Sequence, residues 1–424
     1  MIVAEVKLWK TRIGVIAIDD DSPYCTFKYD SDFVNSSINV SPIMMPLSDT
    51  IYQFKTLSLE SFRGLPGLVS DSLPDRYGNA IIDAWLVAEG RTIESFNIIE
   101  RLCYIGTRGM GALEFFPETN RKHDDYDEIE ISKLVELSNQ ILNSKENISV
   151  KDSDGFKEII EVGTSAGGAR AKAIIAYNEE TGVIKSGQIN AGVGYTYWIL
   201  KLDGVDQKEA TSHTRIEYAY YLMAKEAKIN MSESRLLKLD GYYHFMTKRF
   251  DRIQLKDGSM DKVHMQTLGA LMHRDYNEPG TLSYEGTVQT MHKLGIKQSD
   301  SEQFFRRMVF NVMARNQDDH VKNISFLMNR KGEWSLSPAY DVTYSFNPKG
   351  KWTAVHQMLI NGKTSNIGKD DLLQSAHSMR IKAKKALEII DEVNSALLRW
   401  EEFANEAYLE VDTISAIKNS FVIY

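Results

Sequence analysis

Residues 311–323 read NVMARNQDDHVKN, and a short interval later SPAYDV brings in Asp341. Phosphoryl transfer from a nucleotide needs a carboxylate to orient the acceptor hydroxyl. It also needs an amide oxygen and a second carboxylate to hold Mg²⁺ against the phosphates. Asp318 and Asn323 have the D-x-x-x-x-N spacing of such a catalytic loop, and Asp341 stands where the later metal-binding Asp is needed. The same cluster also fits a polar turn or helix cap, because short Asp, Asn and His side chains bond local backbone readily.

The flanking segments favour the chemical reading. FFRRMVFNVMA before the cluster has the pattern of a buried helix. ISFLM and WSLSPAY after it resemble two paired strands around the turn RKGE. Helix, polar loop, hairpin and a further acidic residue would assemble such a site.

A second chemical element lies at IIEVGTSAGGARAKAIIAYN, a Gly-rich turn between two apolar runs. It is not a phosphate loop of the Walker type, since Ala169 and Arg170 stand where Lys and Ser or Thr are required. It is not a dinucleotide fingerprint, because a strand rather than a helix follows. A Gly-rich hairpin over nucleotide phosphates and an ordinary flexible hairpin both fit. TYWILKLDG then reads as a buried strand carrying Lys201, placed to reach phosphates or to extend to solvent. The helical run TRIEYAYYLMAKEAKI carries Glu217, a candidate partner for Lys201 or a complement to the helix dipole. YYHFMTKRFDRI reads as a strand in which Phe250 could stack on a base or simply join the core.

Bulk properties set the class. With 424 residues the chain can hold two or three domains. Its 50 Lys and Arg against 58 Asp and Glu give a net charge of −8, which argues against strong unaided nucleic-acid binding. Two cysteines, Cys25 and Cys103, make no disulfide framework and no CxxC motif. There is no internal repeat, and the longest apolar runs fall short of a membrane span. Met1 leads directly into the strand-like IVAEVKLW, so the cytoplasm is the expected location.

Residues 1–120 read as a small mixed domain with a helix from about Asn79, 121–252 as a nucleotide-binding lobe with a helix near 132–143, and 253–424 as mainly helical. The glycines of YIGTRGMGALEFFP, at 106, 109 and 111, suit tight turns and close packing better than phosphate binding. HMQTLGALMHRD is expected to be helical. His264, His273 and His292 lack metal-ligand spacing and read as structural.

Taken together, VGTSAGGARAKA, Lys201, Glu217, KRFDR, RNQDDHVKN and SPAYDV resemble the HipA family of toxin Ser/Thr kinases from bacterial toxin-antitoxin modules. LPGLVSDSLPDRYG and GMGALEF are similar to that family's additional amino-terminal subdomain. The resemblance implies an α+β, kinase-like two-lobe fold with a β-rich amino-terminal lobe, the extra subdomain, and an all-helical carboxy-terminal lobe. It implies ATP and Mg²⁺ as cofactors, Asp318 as the catalytic Asp, and Asn323 and Asp341 as metal ligands. Ala166, Gly167, Gly168, Lys172, Lys201, Lys248, Phe250, His320 and Lys322 would bind the nucleotide. Ser165, or the adjacent Thr164, would be autophosphorylated, which ejects the loop and silences the enzyme. Where well-known members carry Gln-Glu/Pro-Lys, this chain has Arg170-Ala171-Lys172.

The family further implies a HipB-like helix-turn-helix antitoxin, operator DNA contacted mainly through it, and a protein substrate such as glutamyl-tRNA synthetase. Two other readings stay open. One is a catalytically weak pseudokinase that binds the antitoxin and tunes repression. The other is a metal-dependent phosphohydrolase using Asp318, Asp319 and His320.

Overall fold

The structure is a computed structural model, and it describes residues 1–74, 76–117, 129–143, 163, 170–188, 190–205 and 212–424. These form two compact units that interleave along the chain. The first comprises 1–37, 47–214 and 234–265, and the second 38–46, 215–233 and 266–424.

The first unit is built on two antiparallel sheets. In one, β1 (Ile2–Leu8) and β2 (Thr11–Ile18) are joined by Trp9 and Lys10, both at positive φ as a two-residue hairpin turn requires. β3 (Thr26–Tyr29) and β4 (Ile51–Tyr52) extend it on one side and β5 (Leu113–Phe116) on the other, in the order β4-β3-β2-β1-β5. Alternate residues Ala4, Val6 and Leu8 point inward, the period-two pattern of a half-buried strand.

The second sheet has the order β7-β6-β8-β10-β9, from β6 (Lys172–Asn178), β7 (Ile184–Ser186), β8 (Tyr195–Lys201), β9 (Ser234–Leu239) and β10 (Tyr242–Lys248). Trp198, Ile175, Ala173 and Met246 from this sheet share one buried cluster with Tyr77, Ile81 and Ile82 of the helix Arg76–Ala88 and Leu134 of the helix Ile131–Asn143. Both helices start within a few residues of the positions expected from their periodicity. Arg101, buried in the helix Ile98–Ile105, reaches Asn79 (3.1 Å) and Asp83 (2.6 Å) and ties two helices together.

A two-stranded hairpin, β11 (Arg252–Gln254) and β12 (Met260–Lys262), completes this unit. The expected helix at HMQTLGALMHRD is confined to Leu268–Met272. The residues before it form β13 (His264–Thr267), and Thr267 caps the helix through its hydroxyl. Alternation of buried His264 and Gln266 with the more exposed Met265 is a strand pattern that the short apolar run disguised.

The second unit is helical around one hairpin. The helix Gln298–Met313 buries Phe304, Phe305, Met308, Val309, Phe310 and Met313. It packs beside the helix Ala383–Leu398, which buries Ile389, Ile390 and Val393. The helices Tyr284–Lys293, Lys369–Ser378, Trp400–Glu406 and Val411–Lys418 surround them. The hairpin is β14 (Ser325–Met328) with β15 (Trp334–Leu336), set among the helices as the sequence pattern suggests. Among the described residues, no helix is long and apolar enough to cross a membrane.

Candidate active site

In the second unit, Arg315 at φ +59 ends the helix Gln298–Met313 and turns the chain into the polar loop. The Tyr220 hydroxyl donates to the Ala314 carbonyl (2.6 Å), satisfying one of the helix's terminal acceptors. Three tethers then fix the loop to the segment bearing Asp341. The Ser345 hydroxyl accepts the backbone N–H groups of Gln317 (2.7 Å) and Asp318 (2.9 Å). The Tyr340 hydroxyl donates to the Lys322 carbonyl (2.7 Å), and the Ser337 N–H donates to the Ser325 carbonyl (3.0 Å). Ser345 and Tyr340 thus hold the loop of the candidate site, and the sequence reading missed them. Their partners lie 18 to 28 positions away, and no local pattern signals them.

Held in this way, the Asp318 side chain is 46% exposed, with His320 Nε2 at 3.8 Å from its carboxylate. The Asn323 amide nitrogen donates to the Asp318 carbonyl (2.8 Å), so the loop closes on itself and Oδ1 is left as the amide's acceptor. Asp341 sits at φ +51, a left-handed conformation that Asp tolerates better than most residues and that recurs at functional sites. Lys322 places its ammonium 4.7 Å from the Tyr276 ring, and His320 packs near the same ring.

The second carboxylate of the DDH run behaves differently. Asp319 is 3% exposed, and it accepts from the Tyr284 hydroxyl (2.8 Å) and the Gln357 N–H (2.7 Å) and pairs with His356 Nδ1 (3.0 Å). Burial, and next the Asp319 charge, push the Tyr284 hydroxyl well above its ordinary value, so it stays a donor. A carboxylate with this many donors is a structural anchor. The phosphohydrolase reading that uses Asp318, Asp319 and His320 loses one of its three groups, because the Asp319 carboxylate is turned into the interior.

In the first unit, register decides which lysines meet. Lys172 of β6 pairs directly with Lys201 of β8, and Lys201 with Phe245 of β10, so the three share one face of the sheet. The Lys201 ammonium lies 5.9 Å from the Phe245 ring. Lys248 is opposite Trp198, an odd number of residues along, and therefore lies on the other face, 5.8 Å from the indole. The structure brings Lys172 and Lys201 together and separates Lys248 from them. Glu217, in the second unit, is buried in the helix His213–Glu226. Thr164, Ser165, Ala166, Gly167 and Gly168 lie outside the described residues.

Phe250 is partly buried in the KRFDR run, and its neighbours form an ion lattice. Asp251 accepts two bonds from Arg249 (2.9 and 2.8 Å), one from Arg252 (2.8 Å) and the Gly111 N–H (2.7 Å). Arg252 in turn donates to the carbonyls of Gly109 (2.6 Å) and Gly111 (2.8 Å). The glycines of YIGTRGMGAL therefore serve close packing. A Cβ on Gly111, which sits at φ +72, would meet the Met265 backbone at 3.1 Å. Of the histidines, His264 is buried, and burial pushes the His273 imidazole down to about 4.

Comparison with known proteins agrees with this architecture. A solved structure of the Shewanella oneidensis toxin-antitoxin system HipA, HipB and its operator DNA matches with a TM-score of 0.68 at 18% identity. It covers 98% of this chain and 95% of that one. This shows the shared α+β, kinase-like fold. The Helicobacter pylori proinflammatory kinase CtkA matches with a TM-score of 0.32 at 14% identity, over 53% of this chain and 88% of that one. A Sinorhizobium fredii protein named "Putative kinase Y4dM" is 28% identical over 210 residues, 45% of this chain. This chain spans about half the length of that curated relative (48%). The HipA N-terminal domain matches residues 4–116, and the HipA-like C-terminal domain matches residues 164–400, more than half the sequence. On that match, the chain belongs to the HipA family.

Proposed function

We propose that this chain is an ATP- and Mg²⁺-dependent protein serine/threonine kinase, the toxin of a HipA/HipB-like module. The observation that carries the reading is the set of tethers from Ser345, Tyr340 and Asn323, which hold an exposed Asp318 beside the segment bearing Asp341. In this reading Asp318 orients the acceptor hydroxyl and takes its proton. Lys172 and Lys201, on one face, hold nucleotide phosphates as point charges. His320 and Lys322 would also bind the nucleotide.

The Asn323 amide oxygen and the Asp341 carboxylate are hard oxygen donors of the kind Mg²⁺ takes. Bound there, the ion would neutralise charge on the phosphates. Such positioning and charge stabilisation is commonly worth on the order of 10³-fold or more in rate.

The Gly-rich loop would carry the self-silencing phosphorylation at Ser165 or Thr164, with Ala166, Gly167 and Gly168 around the phosphates. A small helix-turn-helix antitoxin would cover the toxin and supply the operator contacts, in keeping with a net charge of −8. The substrate would be a cytoplasmic protein of translation, such as glutamyl-tRNA synthetase.

The test is intact-mass spectrometry after incubation with ATP and Mg²⁺. A phosphate adduct of about 80 Da that maps to Ser165 or Thr164 and is absent from Asp318→Ala is the expected result. ATP binding with no adduct, and no transfer to any lysate protein, would favour a pseudokinase that only binds its antitoxin.

A further inference from the structure

The two consecutive aspartates of the loop point opposite ways. The side chain of Asp318 is 46% exposed, and that of Asp319 is 1% exposed. Behind the loop, the polar groups form a continuous ring. The Tyr284 hydroxyl, which donates to Asp319, also accepts from the Asn311 amide (3.0 Å). Asn311 accepts from Asn316 (2.9 Å), and Asn316 accepts from the Ser345 hydroxyl (3.3 Å). Ser345 closes the ring by receiving the Gln317 and Asp318 N–H groups.

We propose that Asp319 is the positioning residue of this loop, its buried carboxylate acting through the Tyr284–Asn311–Asn316–Ser345 chain to fix the backbone orientation at Asp318. The proposal rests on the reading of Asp318 as the catalytic Asp. A buried carboxylate is costly to strip of its donors. Turning the peptide between the two residues would lift Asp319 from Tyr284, His356 and Gln357 together. The exposed carboxylate is thereby held in one direction without being buried itself. Misplacing a reacting group by about 1 Å can cost on the order of 10²-fold in rate, which sets the size of effect to look for.

The experiment measures kcat and KM for ATP consumption with Mg²⁺ in wild type, Asp319→Asn, Tyr284→Phe, the double variant and Asp318→Ala. Each is assayed well below its own Tm. The expected result is a fall in kcat of roughly 10- to 100-fold for Asp319→Asn, with KM for ATP within about twofold of wild type. Tyr284→Phe keeps two of the three donors to Asp319 but breaks the link to Asn311, and should lower kcat by roughly three- to tenfold. In the double variant, removing the donor that has lost its acceptor should recover part of the Tm, since neighbouring sites couple, while kcat stays low. That separation would not arise from a merely structural role.

A folded Asp319→Asn with kcat within about twofold of wild type overturns the proposal. Should that variant not fold, a Tyr284→Phe enzyme with wild-type kcat overturns it instead. An unchanged rate in Asp318→Ala would overturn the underlying reading, and the proposal with it. That outcome is distinct from an Asp318-dependent rate that ignores Asp319.

Discussion

In the first unit, Asp251 spends its carboxylate on Arg249, Arg252 and the Gly111 N–H, and its side chain is 1% exposed. In the second, Asp318 is tethered through its backbone, and its carboxylate is 46% exposed. KRFDR and DDHVKN look equally chemical as sequences, since both are charged clusters beside apolar runs. The difference is where the hydrogen bonds go. A carboxylate whose acceptor sites are filled by buried donors organises the fold. One positioned by its main chain, as that of Asp318 is, stays open to solvent. The DDH run contains both kinds side by side, in Asp318 and Asp319.

This contrast can be broken in several ways. Asp341→Asn should lower phosphoryl transfer by about 10³-fold or more at little cost in Tm, because Asn tolerates the left-handed backbone at φ +51 as Asp does. Calorimetry alongside the assay would show it. Asp251→Ala should do the reverse, costing about 3–5 kcal/mol of stability by leaving two buried guanidinium groups without their counter-charge. Urea unfolding would measure it, and the activity of the molecules still folded should change little.

The same aspartate gives a pH signature. Burial alone would raise the Asp251 carboxyl. Arg249 and Arg252, with the bonds from Arg249 and Gly111, outweigh it and hold the carboxyl well below the usual range. Its contribution is therefore fully present above the unfolded value of about 3.9 and is lost as the pH falls below that. The stability gap between wild type and Asp251→Asn should narrow from pH 6 to pH 3, and an unchanged gap would remove Asp251 as its source. The smallest effect is expected from Gly111→Ala. At φ +72, with Met265 3.1 Å from the new Cβ, it should cost about 1–3 kcal/mol, read in the same unfolding experiment, without changing kcat.

Much of this was legible in the sequence because it was local. The D-x-x-x-x-N spacing, the buried helix before it and the hairpin after it all lie within residues 304–341, and the structure has each element there. The strand ending at Lys201 was readable from its apolar run. Long-range pairings were not. Nothing near Asp319 signals that Tyr284 and His356 will converge on it, so it stayed open as a reacting group of a phosphohydrolase. Nothing in KRFDR announces that it will close on the glycines 140 residues earlier. Lys248 was placed with Lys201 among the nucleotide-binding residues by the family resemblance. Only the register of β8 with β10 shows that the two point to opposite faces. His264 was assigned to a helix because a run of four residues carries too little periodicity to separate strand from helix.

The most direct test is the turnover of folded Asp318→Ala beside wild type, with ATP, Mg²⁺ and the chain itself as acceptor, and with circular dichroism and Tm taken on the same samples. The expected result is a loss of about 10³-fold or more in phosphate transfer at unchanged fold. A variant that transfers phosphate at close to the wild-type rate would show that the exposed aspartate is not where the chemistry happens.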